Sequence, residues 1–232
     1  MKSYRSCLLL AASLLAAGAA CAAPRLLLFD SADGITERAL QALQVPHTLA
    51  SPDQYGSARV CLFDYRVAIW GMDADQSPLN ADPGPAQSFV RIGGVFLAMR
   101  SQGDIAWAPR PLKQDKAYAV GQILKPDHPL LTTPHAFDAA LLYKVHGGSI
   151  YRAFYALGEQ WTPLVATGAE QSWDKTTPAS PGPHYGLVEM KWGAGHIILC
   201  QMIPDYGLIN DDKGQPGASR QFLDKPGVAA LA

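Results

Sequence analysis

Short, continuously apolar runs alternate along this chain with stretches of helical periodicity, and that order leaves few architectures open. The run at 25–30 (Arg-Leu-Leu-Leu-Phe-Asp) has no polar alternation, the mark of a strand buried on both faces. A turn follows, with Asp33 placed to cap a helix over 35–43 that lines up Ile35, Ala39, Leu40 and Leu43. Residues 47–50 read as a short edge strand, and 64–71 as a second central strand ending at Gly71. Residues 72–84, rich in Asp and Pro, read as a loop. Pro85 then suits the first turn of a helix with Phe89, Val90 and Ile92 facing inward. Gly93 and Gly94 stop that helix before a third strand over 95–99. Alternation of this kind predicts a mostly parallel sheet with helices on both faces.

The second half reads differently. Residues 118–124 suit a strand in an antiparallel extension, residues 128–131 a tight turn, and 141–165 two or three short strands. Residues 170–183, which contain Trp173, read as an exposed loop. Runs at 185–192 and 196–204 flank Gly193-Ala-Gly195 as a hairpin feeding the last core strand.

The first 23 residues read as a secretory signal peptide. Lys2 and Arg5 form a basic start, 8–20 is an apolar run too short to span a bilayer comfortably, and small residues follow to Ala23. The remaining residues, 24–232, fit one α/β domain, periplasmic or secreted, and the alternative of a lipid anchor on Cys21 is disfavoured by Gly18 three positions earlier. Removing Lys2 and Arg5 leaves 17 basic against 20 acidic residues, a formal charge of −3. That balance argues against nucleic acid or an anionic membrane surface as partner. No later stretch is long and apolar enough for a membrane-spanning helix. Cys61 and Cys200 lack the spacing of a metal site; Cys200 sits in an apolar run and reads as a buried thiol, with no bridge to Cys61 expected.

Four segments resemble the class I glutamine amidotransferase-like superfamily: Tyr65-Arg-Val-Ala-Ile-Trp-Gly71, Phe89-Val-Arg-Ile-Gly-Gly-Val-Phe-Leu97, His128-Pro-Leu130 and Trp192-Gly-Ala-Gly-His-Ile-Ile-Leu199. They are most similar to its ThuA-like and β-galactosidase trimerisation-type branches. The resemblance implies a flavodoxin-like three-layer sandwich and a carbohydrate-related role. It departs from true amidotransferases at the nucleophile elbow, where this chain reads Ala98-Met-Arg-Ser-Gln-Gly103 without a cysteine, so glutaminase chemistry is not expected.

In a parallel sheet, ligands collect at the carboxyl ends of the strands. Asp30 and Ser31, Asp73, and Arg100 and Ser101 follow three such strands, and with His146, Trp173 and His184 they form the expected ligand site. Asp30 can equally brace its own loop. The Asp73/Asp75 pair is too sparse to predict a metal, and neither metal nor cofactor is expected. Trp70 and Trp192 read as core, whereas Trp107, Trp161 and Trp173 lie near loops, with Trp173 the candidate to stack on a sugar face.

No catalytic set is evident; Ser101, His184 and His146 are candidates only. A serine nucleophile needs a histidine in reach, and the bulky Met99 does not suit a nucleophile elbow. His128 more simply braces its turn. Three roles therefore stay open. The favoured one is a domain that binds a small molecule or oligosaccharide, or supports polysaccharide processing. The others are a hydrolase or sugar-modifying enzyme using Ser101 or a His–Asp pair, and a non-catalytic assembly module, for which a homo-oligomer would be the partner.

Overall fold

The computed structural model describes residues 26–31, 34–132, 149–171, 174 and 178–202. Four strands carry the first half: β1 (Leu26–Phe29), β2 (Thr48–Ala50), β3 (Val67–Trp70) and β4 (Val95–Met99). Between them lie helices α1 (Ile35–Ala42), α2 (Ser77–Ala81) and α3 (Gly84–Arg91). The second half adds β5 (Lys113–Gln114), β6 (Tyr118–Ile123), helix α4 (Pro129–Thr132), β7 (Ser149–Ile150) and β8 (Phe154–Tyr155). It closes with β9 (Trp161–Glu170), β10 (His184–Trp192) and β11 (Gly195–Cys200).

All of these strands join one mixed sheet in the order β2-β1-β3-β4-β11-β10-β9-β6-β7, with β8 on β10 and β5 on β8. The first five in that order pair in parallel; the remaining pairings are antiparallel. Taken alone, the parallel strands run 2-1-3-4-5 in order of appearance. The chain thus steps from β1 outward to β2, then crosses back to β3 on the other side.

Strand periodicity explains the core. Leu26, Leu28, Val67, Ile69, Leu97 and Met99 point to one face, where Ala39 and Leu40 of α1 meet them. Leu27, Phe29, Ala68, Trp70, Phe96 and Ala98 point to the other, against Ala86, Phe89 and Val90 of α3. Central strands with both faces covered have no use for a polar alternation, which is why they read as unbroken apolar runs.

Several expectations need correction. Ile92 lies just past the end of α3 and is 66% exposed, because the helix stops before its periodicity would carry that side chain inward. Residues 72–84 are not all loop, since α2 forms there with Pro78 in its first turn and Asp75 accepting the Ser77 N–H. The turn at 128–131 opens a short helix, with His128 Nδ1 accepting the Leu130 N–H at 3.3 Å. Trp107 and Trp161 are core residues, and Trp161 sits in β9. Neither Cys61 nor Cys200 forms a disulfide; Cys200 is buried and Cys61 exposed. Asp33, His146, Trp173 and the tail from 203 onward lie outside the described residues.

Candidate functional site

The parallel strands end on one edge, and the residue after each is a polar group or a glycine that lets one approach. After β1, the Asp30 carboxylate accepts the Ser31 N–H at 2.8 Å and the Glu37 N–H at 2.7 Å. Helix α1 has Gly34 at its N-cap in the left-handed region and no side-chain cap of its own. Asp30 therefore satisfies a first-turn donor that would otherwise be orphaned. Burial raises the pKa of this carboxyl above its ordinary value, and the two backbone N–H groups oppose that shift. Gly71, following β3, makes room for it: a Cβ there would fall 2.3 Å from Asp30 Oδ1.

After β3 and β4 the backbone turns sharply twice. Asp73 (φ +59°) and Arg100 (φ +30°) are both non-glycine residues in the left-handed region, and their side chains form an ion pair at 2.9 Å. Gln102 Nε2 donates to the other Asp73 oxygen at 2.9 Å, and the Arg100 guanidinium lies 4.1 Å from the centre of the Tyr151 ring. Backbone strain of this kind, of order 1–3 kcal/mol per residue, persists only where the surroundings enforce it, and it concentrates at functional edges.

The reversal of strand order between β1 and β3 opens a cavity of about 600 Å³ at this edge. Asp30, Ser31, Glu37, Asp53, Asp73 and Asp75 supply its polar wall; Leu49, Ala50 and Pro52 supply an apolar one. Among the described residues, no lysine, arginine or histidine lines it. Arg100 stands outside this wall and reaches the cavity through its ion pair with Asp73.

Asp30, Ser31, Asp73 and Arg100 are thus brought to one neighbourhood. Ser101 follows Arg100 but is only 4% exposed, and its carbonyl accepts Gln201 Nε2 at 3.0 Å. No histidine hydrogen-bonds to its hydroxyl among the described residues. His184 starts β10, which runs antiparallel to β11, so it reaches the same edge of the sheet. It stands four strands from β1, however, roughly 19 Å at the usual ~4.8 Å strand spacing. There it pairs with Asp115 instead, Nε2 to Oδ2 at 2.8 Å, both side chains 6% exposed. Reading strand ends alone overlooked Glu37, Tyr151, Asp115 and Gln201. Gln201 had a signal, since it directly follows the last parallel strand; Asp115 had none, lying where the periodicity is weak.

A comparison with protein-family models gives no match. A comparison with curated proteins gives none either. Among solved structures, the chain is similar to a β-galactosidase from Bacillus circulans sp. alkalophilus at 12% identity and a TM-score of 0.42, covering 86% of this chain and 30% of that one. It is also similar to Cytoplasmic Protein STM1381 from Salmonella typhimurium LT2, at 10% identity and a TM-score of 0.46, covering 89% and 96% of the two chains. Cytoplasmic Protein STM3548 from Salmonella typhimurium gives 10% identity and a TM-score of 0.46, over 90% and 95%. The chain spans about a third of the length of the β-galactosidase it resembles. At these values the likeness carries nothing about function.

Proposed function

We propose that this protein is a secreted or periplasmic domain of the amidotransferase-like type, without glutaminase chemistry, that holds a carbohydrate-related small molecule at the β1/β3 reversal. The cavity there is the observation that carries the reading. Its volume suits a small ligand, and its lining joins hydrogen-bonding oxygens to an apolar wall. Carboxylates accept from sugar hydroxyls, the Ser31 hydroxyl can donate, and Leu49 with Pro52 offers a surface to the C–H face of a ring. The 2-1-3-4-5 order of the parallel strands and the placing of α1 and α3 on opposite faces support a flavodoxin-like three-layer sandwich. The missing elbow cysteine supports a non-glutaminase role, since Arg100 stands at the strand end in left-handed conformation.

The test is a thermal-shift screen of the purified chain against mono- and oligosaccharides, followed by calorimetry on each that raises Tm. At least one sugar should bind, and Asp73→Asn should weaken it by about 1–3 kcal/mol, the usual worth of a hydrogen bond to a charged group. A panel without a single stabilising sugar, or a variant that binds as the wild type does, would overturn the reading.

A further inference from the structure

We propose that Asp73 decides which class of sugar the β1/β3 cavity takes, a step that rests on reading that cavity as a sugar site. By holding the Arg100 guanidinium, Asp73 bars phosphorylated and carboxylated sugars and leaves the cavity to those without an anionic group. The N-terminus of a helix and a guanidinium at a strand end each suit an anion. Here each is already answered by a carboxylate of the chain. Asp30 accepts the Glu37 N–H at 2.7 Å, so the first turn of α1 has its anion in place. Arg100 Nη2 meets Asp73 Oδ2 at 2.9 Å. The guanidinium is held on its other sides too: Nη1 lies 3.9 Å from Met72 Sδ, and Cζ lies 4.1 Å from the centre of the Tyr151 ring. Gln102 Nε2 donates to the second Asp73 oxygen at 2.9 Å.

Asp73 lines the cavity and Arg100 does not. A ligand entering there therefore meets the carboxylate of the pair. The rest of the described lining adds Glu37, Asp53 and Asp75 and no cation. Arg38 acts on Asp30, but it is exposed and outside the lining. The Ser77 backbone N–H first, and then the Ser77 hydroxyl, hold the Asp75 carboxyl below its ordinary pKa, so it stays ionised at neutrality. A phosphate or a carboxylate would face these like charges without a partner, whereas a hydroxyl can donate to them and an ammonium can pair with them. Repelling the wrong ligand with a like charge is an established route to specificity. The Asp73 backbone has φ +59°, a region that asparagine tolerates, so Asp73→Asn removes the charge and keeps the turn.

The experiment is calorimetry on the full chain at neutral pH with glucose, galactose and mannose, each beside its phosphomonoester. At least one hexose should bind the wild type, and its phosphomonoester should bind at least about tenfold more weakly. Asp73→Asn should shrink that ratio about tenfold by freeing Arg100 for the phosphate, and adding Arg100→Gln should restore it. If Asp73→Asn does not fold, the wild-type ratio must fall as salt rises to about 0.5 M, because screening weakens repulsion between accessible charges. A phosphomonoester that binds the wild type as tightly as its hexose, or a ratio unmoved in Asp73→Asn, overturns the proposal while the sugar site stands. Failure of all six compounds to bind either protein overturns it as well, and takes the sugar reading with it when the wider sugar panel is also silent.

Discussion

Asp30 shows how one residue can be both brace and wall. Its carboxylate completes the start of α1 and also lines the cavity, and it fits only because Gly71 has no side chain. Burial makes the protonated form easier to accommodate in the fold than in the unfolded chain, so the folded pKa lies above the ordinary value of 3.8. The sign follows from linkage. This contribution to stability is complete below the unfolded pKa and is lost as pH rises through the folded one. Asn at this position stays neutral throughout. Urea unfolding of the wild type and of Asp30→Asn should therefore show the wild type losing ground to the variant as pH rises from about 4 toward neutrality. A wild type that gains on the variant over that interval would mean that the two backbone N–H groups outweigh burial.

At the scale of elements, the join between α3 and the central strands is tight on one side and open on the other. Gly195, opening β11, lies so close to the end of α3 that a Cβ would sit 2.1 Å from the Gly94 carbonyl and 2.3 Å from that of Val90. Both obstacles are backbone, so they cannot swing aside. Gly195→Ala should cost about 1–3 kcal/mol, the range for overpacking a closed site. Ile92, three residues before Val95, points to solvent, and Ile92→Ser should stay within about 0.5 kcal/mol of the wild type. Chemical denaturation of the two variants gives the comparison, and an equal cost would contradict the contrast between the closed Gly195 site and the exposed Ile92. Periodicity located α3 well but not its last residue, because a helix end depends on what the next strand's entry permits. The hairpin of β10 and β11 was legible for the opposite reason, since Gly193 and Gly195 punctuate it locally; Gly193 has φ +63°.

For the whole molecule, secretion remains a proposal that one measurement decides. The exported protein should have an intact mass lacking about the first 23 residues, because the basic start, the apolar run and the small-residue exit all lie there. A product retaining Met1 would end that reading. Among the described residues, no helix is long and apolar enough to cross a membrane. By itself the sequence determined that the central runs β1, β3 and β4 are buried strands and that α1 and α3 are helices, since the period of apolar residues is a local property written along the chain. It also determined that Asp30, Ser31, Asp73 and Arg100 each end or follow a central strand. Only the tertiary structure decided which strands are neighbours. Neighbourhood is set by non-local pairing, and no local pattern records that β11 inserts beside β4 while β1 separates β2 from β3. That choice joined Arg100 to Asp73 at one end of the edge and gave His184 to Asp115 rather than to Ser101.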